Sequence, residues 1–169
     1  MSFLAATRSE NIEGIEVRGG SKFRARSRHA LALLGQTAAL SLVQTHVKVI
    51  RQGKRSGMRP WANKPTFVVG RATWRHSPLW YAGAIAHDAY HSKLYDIATK
   101  ANGGGEPAPN TWTGAEAEKQ CLAFQFSVLQ SLKSDENTLG YVARWAENPT
   151  YAGSRRGLGR WLDYLGRWW

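Results

Sequence analysis

His87-Asp88-Ala89-Tyr90-His91 sets two imidazoles four residues apart, with a carboxylate directly after the first. On a helix, side chains four apart share a face, about 5–6 Å between Cβ atoms. Two ring nitrogens can then converge on one Zn²⁺ at about 2.0–2.1 Å. The acid beside the first His faces a water on the metal and is placed to take its proton as general base. Two histidines are an incomplete set, because a catalytic zinc takes three protein ligands and a water.

The third ligand must come from another element. Thr113-Gly114-Ala115-Glu116 has the form of a capping box and opens a long helix reaching about Lys133. Glu116 and Glu118 are two apart, so they point about 200° apart around the axis. Glu116 shares its face with Lys119, Gln120, Ala123, Ser127 and Gln130, a polar side, whereas Glu118 lines up with Cys121, Leu122, Gln125 and Leu129. A carboxylate on an apolar face is costly unless it is paired or holds a metal. Glu118 is therefore the expected ligand. Cys121, the one cysteine, rules out an intramolecular disulfide and reads as a small core residue.

The elements that carry these residues can be read in outline. Ser77-Pro78 is a helix start, Ser as N-cap and Pro in the first turn, for a helix from Leu79 to about Thr99. His87 and His91 share its stripe with Trp80, Ala84, Leu94 and Ala98, so both face inward. Thr66 to Trp74 is β-branched and aromatic between Pro65 and Pro78, and reads as one strand. Apolar residues at Ala30, Leu33, Leu34, Thr37, Ala38 and Leu42 predict a helix over about Ser27–Val43, and Thr45–Gln52 reads as a strand or its continuation. Residues 1–20 read as a flexible or loosely strand-like lead-in. Residues 100–111, with Gly103-Gly104-Gly105, join the two metal helices as a connector or a mobile flap. Ser134 or Asp135 caps a further helix that ends before Asn148-Pro149, and 153–169 form a basic, aromatic tail.

At 169 residues, 43% hydrophobic and with eight Trp, the chain suits one globular domain over 1–169 and argues against disorder. No apolar run approaches the roughly 18 residues of a membrane span. Met1–Arg8 lacks the charged start and apolar core of a signal peptide, which favours the cytoplasm; a secreted chain already relieved of its leader reads the same. The net charge of +11 is uneven, with eleven Lys/Arg against three Glu in residues 1–60. Lys22, Arg24, Arg26 and Arg28 alternate with small or aromatic residues, which suits an anionic partner such as nucleic acid or a cell-wall polymer, or simply a solvated basic face.

The strand at 66–74, the helix bearing His87-x-x-x-His91 and the later helix with Ala117-Glu118-x-x-Cys121 resemble a zincin metallopeptidase of the Glu-ligand type, over roughly residues 45–133. The resemblance implies an α+β zincin-like fold, a small sheet packed on two central metal-bearing helices with further helices toward the C-terminus. It also implies Zn²⁺ on His87, His91 and Glu118, a peptide or protein substrate lying along the strand beside the histidine helix, and Asp88 in the place of the family's Glu base. Asp is shorter by one C–C bond, roughly 1.5 Å. An oxyanion stabiliser is open among Tyr90, Tyr95, Tyr141 and Tyr151. Two other readings compete. His87-Asp88 also resembles the metal doublet of HD-type phosphohydrolases, for which His46 and Asp135 or Asp163 would be recruited. A metal-free nucleic-acid-binding protein would use 22–28, 48–59 and Arg155, Arg156, Arg160, Trp161 and Arg167.

Overall fold

The computed structural model describes residues 8–147. The first turn is set by two residues with positive φ, Glu13 (51°) and Gly14 (76°), which join β1 (Ser9–Ile12) to β2 (Ile15–Arg18) with Ile12 opposite Ile15. Two left-handed residues in a two-residue loop match the twist of a hairpin, and Asn11 Oδ1 accepts the Gly14 N–H to close it. Residues 9–18 are thus sheet, the strand-like of the two alternatives for this lead-in. Their signal is the buried pair Ile15 and Val17 alternating with Glu16 and Arg18.

From β2 the chain crosses through α1 (Ser21–Leu34) and α2 (Ala39–His46) to β3 (Val49–Gln52). Gly35 ends α1, and Thr37 Oγ1 accepts the Ala39 N–H where α2 begins. The single helix predicted over 27–43 is therefore two, and the first begins six residues earlier at Ser21. Next come β4 (Gly57–Arg59) and β5 (Thr66–Val69), giving a mixed sheet in the order β1-β2-β3-β5-β4. β2, β3 and β5 run parallel, while β1 and β4 pair antiparallel at the two edges. The strand expected over 66–74 stops at Val69. Gly70 lies so close to the Arg55-Ser56 backbone that a Cβ there would stand 3.0 Å from Ser56 N, and it turns the chain into α3 (Arg71–Arg75). The free edge beyond β5 belongs to β4.

Helices hold the rest: α4 (Pro78–Ala101), α5 (Asn110–Thr113), α6 (Ala115–Ser131) and α7 (Glu136–Glu147). Ser77 caps α4 as expected, its Oγ accepting the Trp80 N–H at 3.1 Å. Asp135 holds the start of α7, accepting from the Thr138 N–H at 2.9 Å. The capping box predicted at Thr113 does not form. Thr113 closes α5 by donating to the Pro109 carbonyl, and Gly114 takes the N-cap position of α6.

α4 is the axis of the molecule. Residues 80–86 are buried on every side, which is possible because Ala82, Gly83, Ala84 and Ala86 leave room for neighbours. One flank meets the core of Phe23, Leu31 and Leu34 from α1 and Ile50, Phe67 and Val69 from the sheet. There the buried Tyr81 hydroxyl meets Ser27 Oγ at 2.8 Å; since Ser27 donates its own proton to the Phe23 carbonyl, Tyr81 is the donor. The other flank meets α6, and Trp80, Leu122, Leu129 and Val142 form a second cluster that seats α7. The molecule is α+β, and no helix of the described residues is long and apolar enough to cross a membrane.

Candidate metal centre

Directly after its buried segment, α4 presents His87 and His91 side by side, Nε2 to Nε2 at 3.1 Å with ring centroids 4.9 Å apart. Glu118, in the first turn of α6, straddles them. Its Oε2 lies 3.4 Å from His87 Nε2 and its Oε1 3.3 Å from His91 Nε2. Gly83 makes this possible, because α6 approaches so closely there that a Cβ would sit 3.1 Å from Leu129 Cγ. Glu116 is exposed and takes no part, while Cys121, Leu122, Gln125 and Leu129 on the Glu118 face are buried, so the assignment of faces along this helix holds.

The three distances have a chemical meaning. Ligands about 2.0–2.1 Å from a tetrahedral ion lie about 3.3–3.4 Å from one another. The two Nε2 atoms stand 3.1 Å apart, close enough to share one ion, and each also meets a different oxygen of Glu118, at 3.4 and 3.3 Å. Cys121 joins the group one turn further along α6: His87, His91 and Cys121 bring ligand atoms within 4.8 Å of one another. Two third ligands are thus available on adjacent turns. In the metal-free protein burial pushes the Cys121 thiol up, against the pull of His91. Burial also pushes the Glu118 carboxyl up, but hydrogen bonds from His87 and His91 and their charge prevail and hold it well below the usual carboxylate range. Glu118 is the ligand already charged.

His91 is prepared by its other nitrogen. Nδ1 lies 2.7 Å from the Trp112 carbonyl, which can only accept, so the proton sits on Nδ1 and the Nε2 lone pair faces the cluster once that nitrogen is deprotonated. Burial disfavours the charged ring, yet hydrogen bonds to Cys121 and Glu118 raise its pKa well above the ordinary histidine value. His87 has no such support, since its Nδ1 is buried without a partner among the described residues.

Asp88 lies between the cluster and the sheet edge. Burial pushes its carboxyl up to about 6, with Glu118 adding to the rise; His87, His91 and a hydrogen bond from the Met58 backbone N–H of β4 pull the other way. That backbone bond ties α4 to the edge strand. Trp112 borders the site on the remaining side, its ring packed edge-on against Tyr95 (5.3 Å) and Trp61 (5.7 Å). Trp61, in the β4–β5 connection, is 60% exposed.

Other expected residues go elsewhere. Tyr90 packs on Phe124 and Tyr141 on Trp80, and Tyr151 falls outside the described residues. Tyr95 stands one ring away from the cluster, behind Trp112. The HD-type set does not assemble among the described residues. His46 faces Asp96 and Lys93, Asp135 caps α7, and Asp163 is outside them, as are Arg155, Arg156, Arg160, Trp161, Arg167 and the tail over 153–169. Sequence reading missed the Trp112 carbonyl and the Met58 N–H, because backbone groups have no residue signature. Cys121 was open to detection by its spacing of three from Glu118. Comparison with family models, curated proteins and solved structures finds no match.

Proposed function

We propose that this protein is a zinc-dependent peptidase or peptidase-like hydrolase with a zincin-like arrangement of its centre. His87, His91 and Glu118 hold the metal, Asp88 is the general base, and a peptide or protein is the substrate. The observation that carries this reading is the pair of Nε2 atoms 3.1 Å apart, each facing one oxygen of a Glu118 carboxylate that is held in its charged form. When bound, the metal supplies Lewis acidity that activates a water and polarises a carbonyl. Asp88 takes the proton of the attacking water and returns it to the leaving nitrogen. Its anchor to Met58 leaves acceptor capacity on a carboxylate that has about four lone-pair sites. Trp61 and Trp112 offer an aromatic wall for one side chain of the substrate.

Metal content and cleavage of a peptide library test this together. Purified protein should carry one zinc, and His87→Ala and Glu118→Ala should each lose it. Asp88→Asn should keep the metal and lose about 10²-fold or more in rate, the usual share of a general base. Protein that takes up no zinc sinks the proposal. Metal kept in Glu118→Ala but lost in Cys121→Ser moves the third ligand to Cys121.

A further inference from the structure

We propose a second site, separate from the metal centre, that binds the phosphate group of a nucleotide. The groove lined by Lys22, Ala25, Arg26, His29, Trp74 and Arg75 measures about 590 Å³. That lies within the roughly 300–1,000 Å³ typical of small-ligand sites. It contains none of the residues around His87 and does not depend on the metal reading.

α1 carries two rows of cations with different fates. Arg24 and Arg28 turn to Glu10 of β1 and share its single negative charge. Lys22, Arg26 and His29 follow one another at spacings of four and three on a neighbouring stripe, over the groove. None of Lys22, Arg26 and Arg75 has an ion-pair partner among the described residues. Arg75 reaches the groove from α3, with its guanidinium held 5.4 Å from the centre of the Trp74 ring. Stacking on the indole restricts that side chain before any ligand arrives. Trp74 is 7% exposed, and its indole N–H is buried without an acceptor among the described residues.

Three unpaired cations converging from two helices suit a dianion better than a single carboxylate, and guanidinium groups match phosphate oxygens with paired hydrogen bonds. The phosphate can come from a free nucleotide or from a nucleic-acid strand. The free nucleotide presents a terminal monoester dianion, and the strand a row of monoanionic diesters.

Titration with AMP, inorganic phosphate and a twelve-residue oligothymidylate, read by calorimetry at low salt, tests the site. AMP is expected to bind once per chain, with phosphate competing. Lys22→Ala/Arg26→Ala and Arg75→Ala should each weaken AMP by about tenfold or more, the scale of losing charge-assisted hydrogen bonds. Arg28→Ala/Lys64→Ala removes the same net charge from residues paired with Glu10 and Glu16, and should leave AMP affinity within about twofold. Oligonucleotide binding that is tighter than AMP, and whose steep salt slope falls in Lys22→Ala/Arg26→Ala, identifies a strand as the source; equal affinity identifies the free nucleotide. Absence of AMP and phosphate binding overturns the proposal. Equal losses in the groove and control variants overturn it too, by showing a diffuse field. All substituted side chains are exposed, and melting curves confirm folding.

Discussion

Asp88 and Glu118 are two carboxylates a few ångströms from the same histidine pair, and their surroundings drive them apart. Burial pushes Asp88 up to about 6, while His87 and His91 outweigh burial at Glu118 and hold it down. Opposed environments of this kind separate a proton-transfer group from a permanently charged one. The metal-free protein should show the consequence in its pH–stability profile. Glu118, lowered from 4.5, contributes stability above that pH and loses it as the solution is acidified further. His91, raised from 6.5, contributes below that value and loses its share as pH rises through the raised one. Asp88 opposes Glu118, because ionising it between 3.8 and about 6 costs the folded state. Melting of chelated protein should therefore peak in mildly acid solution and decline toward pH 8, and Glu118→Gln should flatten that peak. A chelated protein whose melting temperature keeps rising to pH 8 would contradict the His91–Glu118 pairing. Metal-loaded protein should respond the other way, because ligation requires deprotonated His and gains with pH.

Two element-level details decide whether the ligands meet. Ser77 begins α4, and Ser77→Ala should cost about 1 kcal/mol in urea unfolding, the usual loss of an N-cap. A loss below a few tenths would mean that Pro78 alone sets the start. Gly83 is more telling, because it holds α4 against α6. Gly83→Val drives a branched side chain into Leu129 and should destabilise by about 1–3 kcal/mol. It should also weaken metal uptake, since Glu118 rides on the displaced helix. Unchanged metal affinity in a folded Gly83→Val would show that the first turn of α6 is positioned by α5 and Trp112 instead. The strand expected over 66–74 stops at Val69 for a related reason. Val68-Val69 and Thr73-Trp74 have strand-like side chains, but the close backbone approach at Gly70 turns the chain, and propensity cannot register that contact.

For the molecule as a whole, metal binding should appear as stability. A ligand at about 100 times its dissociation constant adds about 2.7 kcal/mol. In a domain of this size each kcal/mol moves the melting point by about 2–4 °C, so chelation should lower it by about 5–10 °C. His87→Ala should melt at one temperature with or without chelator. A wild-type protein indifferent to chelation would leave His87, His91 and Glu118 as a structural ion-pair cluster. The sequence by itself determined the helix start at Ser77-Pro78, the shared face of His87 and His91, the inward turn of Glu118 and the outward turn of Glu116. These are local matters of capping and of 3.6-residue periodicity, legible wherever a helix forms. Only the tertiary structure decided that β4 is the sheet edge at Asp88, that the Trp112 carbonyl orients His91, and that Cys121 lies beside Glu118 as a rival ligand. It also split one row of basic residues on α1 into a stripe paired with Glu10 and a stripe without an ion-pair partner among the described residues. Each of these depends on backbone groups or on neighbours distant in sequence, and Lys22 and Arg24 look alike until Glu10 folds back onto one of them.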